Sequence, residues 1–410
     1  MATNHDPSIP STSGGSRRGW FAVIAVGLGT FTLVTNEFLP VGLLTQMSRE
    51  FGISEGVAGT MMTIPGVVAA VAAPTLTIAA GRIDRRLVLI AMSVLFTLAD
   101  ILGSIAPNFA VMLVARFLLG LGIGGFWAIG ASVGPRLVSP ANAARATAIV
   151  FSGVSIASVI GVPAGALIGG LYGWRTAFVS TAVLGVIALL LQLALLPKLV
   201  VDSPVTWTQL SSVLRGRTAR VGLIALLLLV VGQFAAFTFI APFLHRATGA
   251  STQLISTLLL VYGVAGIVGN FGVERALRRR LTSTAVALMA ATAVSALALP
   301  LWGTSVPAVF LILTVWGLAY GAVPIALQTW IFSADPAAAE GGSALYIATF
   351  QLSVASGALL GGVIVDAAGI RAAMITGAVL AAAALVSLVI GSRQSAADGL
   401  RSAELPRAVP

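Results

Sequence analysis

Gly81-Arg82-Ile83-Asp84-Arg85-Arg86 interrupts a long apolar chain, and the reading of these six residues decides the fold. Three arginines and one aspartate so close together are too costly for the hydrocarbon centre of a bilayer, so the stretch is expected as a tight, water-exposed turn. The flanking runs, about 57–80 and 87–106, each reach the roughly 20 apolar residues that cross a bilayer core. The turn therefore joins two membrane spans.

The same pattern continues outward from the turn along all 410 residues. Apolar runs lie at 20–43, 57–80, 87–106, 109–131, 144–170, 176–197, 220–242, 253–273, 282–302, 306–328, 342–364 and 370–391. A chain that is 58% apolar and 9% charged, with a mean hydropathy of +1.03, is not a soluble globular one. The predicted class is all-α: a polytopic membrane protein of twelve transmembrane helices, embedded in the lipid bilayer.

The net charge of +10 suggests a polyanionic partner until the charges are placed. With both termini in the cytoplasm, 18 of the 23 basic residues fall in the two tails and in the segments 81–86, 136–145, 198–220 and 274–280. Arg49, Arg175, Arg246 and Arg371 lie on the other side, and Arg116 lies within a span. This asymmetry is the positive-inside bias, so the charge reports orientation and no nucleic-acid partner is expected. There is no cysteine, and His5 and His245 are the only histidines. Disulfides, thiol chemistry, metal sites and cofactors are therefore not expected.

The chain also repeats itself. Arg85-Arg86 recurs as Arg279-Arg280, Ser139-Pro140 as Asp335-Pro336, Gly169-Gly170 as Gly361-Gly362 and Arg175 as Arg371, all at nearly one offset. The expected organisation is a disordered, polar cytoplasmic tail (1–19), a six-helix bundle (20–197), a cytoplasmic linker holding the only lysine, Lys198 (198–219), a second six-helix bundle (220–391) and a cytoplasmic tail (392–410). Two related halves with a site between them near mid-membrane is a transporter architecture.

Three intramembrane charges are functional candidates by default. Glu37 and Arg116 each lie six or seven residues from the outer end of their expected runs, ~10 Å deep at 1.5 Å per residue. Matching depth suggests an ion pair, either a working one or a permanent bridge between helices. Asp100 lies at similar depth. Gly120-Leu121-Gly122-Ile123-Gly124-Gly125 fits a dinucleotide fingerprint, but it sits wholly inside an apolar run with no strand before it. No Walker A lysine exists, so ATP bound to this chain is not expected to power it.

The turn at 81–86 resembles the loop after the second helix of the major facilitator superfamily, with Gly81 and Asp84 one residue closer and the second glycine missing. Arg116 with Gly120 and Gly122 resembles the core of that family's fourth-helix motif. Gly161, Pro163, Gly165 and Gly169 resemble the fifth-helix motif of its antiporters, although small residues at this spacing also serve ordinary helix packing. The resemblance implies that Gly81, Asp84, Arg85 and Arg86 gate the inward face by pairing with charged or helix-end groups of the other half. Apart from the resemblance, the buried carboxyl of Glu37 is the expected proton carrier, with Arg116 as its partner. Asp100, on a usually peripheral helix, is next in line.

In the family, spans one, four, seven and ten line the cavity. Here they offer Asn36, Trp127, Gln233, Phe237, Trp316, Tyr320 and Gln328. Aromatic stripes often only pack, but buried amides require partners. Amides that donate and accept, beside aromatic faces, suit a flat, neutral, hydrogen-bonding solute. Glu37 to Val41, Ile53 to Gly59, and Gly120 to Ala128 resemble bacterial proton-coupled purine ribonucleoside efflux proteins. The expectation is a monomeric antiporter in a bacterial plasma membrane, exchanging a small-molecule substrate for protons, with purine ribonucleosides as substrate. Sugar or drug efflux by the same mechanism is the alternative. A membrane enzyme would need a catalytic constellation and a sensor an appended soluble domain; neither is found in the sequence.

Overall fold

The computed structural model describes residues 17–81, 83–199, 216–333 and 339–404. Arg82 of the turn, the linker from 200 to 215, the repeat's Asp335-Pro336, and both extreme ends lie outside the described residues. Inside a bilayer each backbone N–H and C=O must find its partner within the chain, so the apolar runs are helices. In order they are α1 (Arg17–Phe51), α2 (Glu55–Ala58), α3 (Thr60–Ala79), α4 (Arg85–Ser104), α5 (Phe109–Arg136), α6 (Ala143–Ile156), α7 (Val162–Tyr172), α8 (Trp174–Leu195), α9 (Arg217–Phe237), α10 (Ile240–Thr248), α11 (Thr252–Gly272), α12 (Glu274–Trp302), α13 (Val306–Ser333), α14 (Ala339–Ala368) and α15 (Ile370–Glu404). Among the described residues, twelve helical runs are long and apolar enough to span a membrane, with α2–α3 and α6–α7 each forming one run.

Polar residues at the span ends stop and start these helices. Asn108 caps α5 by accepting from Val111 N at 3.0 Å, and Ser251 caps α11 by accepting from Leu254 N at 3.3 Å. Gly173 and Gly369 turn the chain between the last two spans of each half, at φ 89° and 87°, a backbone region that other residues rarely enter. Gly81 does the same in the 81–86 turn, at φ 38°.

Several boundaries differ from expectation for physical reasons. Arg17 to Gly19, expected in the tail, already belong to α1, which continues to Phe51 rather than ending at 43. The seventh span breaks before Ile240, because Pro242 fits only in the first turn of a new helix, where its missing N–H would have no partner anyway. Arg280 leaves helical geometry (φ −148°, ψ 70°), which separates the basic segment from the ninth span. In the fifth span the residues Ala157–Gly161 widen into a π turn just before Pro163. Proline offers no N–H to the preceding turn and crowds its carbonyl, and the wider turn relieves both.

The solvent pattern is inverted relative to a soluble protein. Large apolar side chains face outward, among them Val71, Ile105, Phe271 and Val379, while Asn36, Glu37, Asp100, Arg116, Gln233 and Gln351 are buried. The end of the bundle carrying the 81–86, 136–145 and 274–280 segments is here the basic end. The end carrying residues 52–54, 105–108, 249–251 and 369 is the far end.

Helices approach closely through small residues. Gly120 and Gly124 close on α3, whereas Gly122 and Gly125 close on α4. Gly161, Gly165 and Gly169 face Thr35, Leu39 and Leu43, one turn apart on α1. The first six spans meet the last six from the far end to mid-depth. Gly56 of α2 abuts Gly362 of α14, Gly66 of α3 abuts Ala355, and Gly263 of α11 abuts Ser158 and Val159. Ser256 of α11 donates to the carbonyl of Pro163 at 2.5 Å.

Candidate functional site

Asn36 and Glu37 are consecutive on α1, so their side chains diverge by about 100° and serve different partners. Arg116 Nη1 donates to both the backbone oxygen and the Oδ1 of Asn36, at 2.9 and 3.0 Å. Asn36 Nδ2 donates to Phe96 O at 3.4 Å, and the guanidinium lies 4.9 Å above the Phe178 ring. Arg116 Nε and Nη2 are buried without a hydrogen-bond partner. The expected Glu37–Arg116 ion pair is not formed in this conformation, because Asn36 holds the arginine on the first-half side of α1. Equal depth does hold, although for another reason than the sequence suggested. The hydrogen bonds set Arg116 level with Asn36, while α1 itself runs to Phe51, ~21 Å past Glu37.

Glu37 instead turns toward the second half. Its Oε1 accepts from Gln351 Nε2 of α14 at 3.0 Å, and both residues are buried. Asp100 of α4 is buried within the first half, where its Oδ1 accepts from Thr181 at 2.9 Å and its Oδ2 has no partner.

The second half holds an aromatic and amide cluster. Trp316 Nε1 donates to Gln233 Oε1 at 2.8 Å, and Gln233 Nε2 donates to Tyr262 Oη at 2.9 Å. Phe237 stacks on Tyr262 with centroids 4.9 Å apart and meets Trp316 edge-on at 6.5 Å. The Tyr320 hydroxyl is buried without a partner. Phe234 links the cluster to the first half by stacking on Phe38 at 5.5 Å, and Phe350, next to Gln351, meets Phe234 at 6.5 Å.

The structure thus brings Gln233, Phe237 and Trp316 together, with Tyr320 on the same helix. It sets Trp127 apart. That ring packs on Phe126 and Phe151 of the first half, eleven residues and ~16 Å along α5 from Arg116. Gln328 is half-buried, three turns beyond Trp316 toward the basic end. Asn36, expected to meet solute, is occupied by Arg116. Sequence reasoning missed Tyr262, Phe350 and Gln351, because it looked only along spans one, four, seven and ten. A lone buried amide in span eleven was the available signal.

The far end is closed by polar contacts between the halves. Arg246 of α10 pairs with Glu55 of α2 at 2.6 Å, and Thr45 donates to the other Glu55 oxygen at 3.0 Å. Asp366 of α14 accepts from Ser54 Oγ at 2.5 Å and from Gly56 N at 3.1 Å, sitting at the start of α2. A cavity of about 520 Å³ lies beside this lock, with Arg49 and His245 on its wall.

At the basic end, the gating candidates bind within their own half. Asp84 caps α4 through Arg86 N (2.9 Å) and accepts from Leu199 N (2.8 Å). Arg86 Nη2 donates to Leu193 O, at the end of α8, at 2.8 Å, and Arg85 is buried. Among the described residues the expected pairing with the other half is absent in this far-end-closed conformation, because the ends of α4 and α8 are neighbours and satisfy each other.

Comparison with known proteins adds four findings. The sequence model described as Major Facilitator Superfamily matches residues 26–344. The purine ribonucleoside efflux pump NepI of Salmonella paratyphi A is 36% identical, over 91% of this chain and 94% of that one. The transcription regulatory protein OpdE of Pseudomonas aeruginosa is 34% identical, over 93% and 96%. Among solved structures, a bacterial homologue of the human lysosomal transporter Spinster, inward-facing and unoccupied, superposes with a TM-score of 0.74 at 16% identity, over 93% of this chain and 98% of that one.

Proposed function

The chain belongs to the major facilitator superfamily, and on that premise we propose that it exports purine ribonucleosides in exchange for protons. It is a multi-pass membrane transporter of small molecules. The basic end faces the cytoplasm of a bacterial cell, as the positive-inside bias supports, and the far end faces outward. The conformation described is then the one closed to the outside.

The observation that carries the substrate reading is the Gln233–Tyr262–Trp316 hydrogen-bonded chain walled by Phe237, with the Tyr320 hydroxyl left unpartnered beside it. Aromatic faces stack on a flat base, and an amide donates and accepts along its edge. The relatives named as purine ribonucleoside efflux pumps support the same reading. Glu37 is the proton carrier, since it is a buried carboxyl whose partner lies across the two halves. The Arg116 charge stands nearby, held by Asn36. Gly81, Asp84, Arg85 and Arg86 latch the cytoplasmic side in the opposite conformation. The protein works as a monomer.

The test is uptake into inverted vesicles under an imposed pH gradient, with labelled inosine, guanosine, an arabinose analogue and a lipophilic drug compared. Inosine or guanosine uptake that collapses with the gradient is the expected result. Uptake of the sugar analogue alone would transfer the site to sugar efflux. A regulatory role, as the Pseudomonas relative's name has it, would leave all four solutes outside.

A further inference from the structure

We propose that Gln351 is the residue that ties the protonation of Glu37 to which end of the bundle is open. The inference rests on the reading of Glu37 as proton carrier. Among the described residues, the charged group acting directly on Glu37 is Arg116, and Asp100 in turn acts on Arg116. Every contact that fixes these two charges lies inside the first half. Arg116 is held by Asn36 of α1 and lies over Phe178 of α8, while Asp100 is held by Thr181 of α8. When the halves rock against each other, those contacts travel together and the charges keep their distance from Glu37.

Gln351 does not travel with them. It belongs to α14 in the second half, and its amide reaches the Glu37 carboxyl across the boundary at 3.0 Å. The second half meets this part of α1 with Gln351 and Phe234, neither of them ionisable. The contact is also tightly registered. A Cβ placed on Gly66 of α3 would stand 2.9 Å from the Gln351 carbonyl oxygen and 2.9 Å from the Ala355 Cβ, so α14 is seated against the first half at this residue. Parting the halves at the far end must withdraw the amide from Glu37.

An amide suits this task, since it donates to a carboxylate and, turned over, accepts from a carboxylic acid. With the far end closed, Gln351 donates to the ionised Glu37 carboxylate, whose proton has gone to water at the basic end. With the far end open, the amide is withdrawn, the ionised form loses that donor, and the carboxyl takes a proton from water on that side.

The test uses the full chain in lipid and a readout that needs no solute. In infrared difference spectra taken against pH, the protonated-carboxyl band lost in Glu37→Gln belongs to Glu37. Its titration midpoint is expected to move by about one pH unit in Gln351→Leu and in Gln351→Met, the size expected for losing one hydrogen bond to a charged group. In proteoliposomes the same variants should keep inosine counterflow at equal pH within about threefold, while gradient-driven accumulation falls at least about fivefold. A Glu37 band whose midpoint stays put in both variants overturns this inference alone. If no titrating band disappears in Glu37→Gln, both the carrier reading and this inference fall. Loss of counterflow and accumulation together, with an unmoved midpoint, makes Gln351 a strut and also overturns it.

Discussion

Two neighbours on one helix, Asn36 and Glu37, meet different partners at the membrane centre. Asn36 takes the guanidinium that the sequence had assigned to Glu37, and it uses both its backbone and side-chain oxygens to do so. Glu37→Gln should therefore retain inosine counterflow while losing accumulation under a pH gradient, as measured in proteoliposomes. Retained accumulation would move the coupling role to Asp100. Gln233→Leu leaves the Trp316 indole N–H and the Tyr262 hydroxyl without their shared partner, and a buried unsatisfied group costs about 1–3 kcal/mol. The expected outcome is a rise of at least about tenfold in the concentration of inosine giving half-maximal counterflow, with unchanged abundance in the membrane. An unaltered value would remove Gln233 from the binding site. At this scale the sequence disclosed which charges and amides lie inside apolar runs, because they are visible one by one. Their partners were not visible, since a rotation of 100° per residue hides which neighbour each one meets.

Among the elements, α2 and α14 form the far-end closure, and two kinds of force hold it. The Glu55–Arg246 pair is half open to water on the arginine side, at 53% exposed, and such pairs are worth about 0–1 kcal/mol. Glu55→Gln should thus raise the open fraction by no more than about fivefold. Gly56 is different, since a Cβ there would meet the Gly362 backbone oxygen and the Asp366 carboxylate. Backbone cannot yield, so Gly56→Val should hold the far end open. A single cysteine in place of Phe38, which stacks on Phe234 when the halves meet, reports both effects through its alkylation rate. Equal rates in Glu55→Gln and Gly56→Val would contradict the ranking. The glycines of the fifth span show a limit of sequence reading at this scale. Their spacing was legible, but that they receive Thr35, Leu39 and Leu43 of α1, while Pro163 engages Ser256 of the other half, depends on how helices are laid side by side.

For the whole molecule, the proposal is a pair of halves that rock about a central site. The chain contains no cysteine, so any disulfide reports only engineered positions. Ser54→Cys with Asp366→Cys replaces a 2.5 Å hydrogen bond across the far end. Oxidation of this double variant should arrest inosine exchange, and a reductant should restore it. Exchange that survives complete cross-linking would rule out far-end opening as an obligatory step. Asp84→Asn probes the opposite end. It should slow transport several-fold without lowering abundance if the 81–86 turn latches the cytoplasmic side. The sequence by itself determined the class, the twelve spans and the bias of positive charge. These follow from local quantities: the cost of a charge in hydrocarbon, and the need of each apolar run to satisfy its own backbone. Only the tertiary structure decided that Arg116 binds Asn36, that Glu37 reaches Gln351, and that Asp366 sits on the start of α2. Each of those depends on helices far apart in the chain meeting at one depth, and hydropathy along a single strand of sequence carries no measure of that distance.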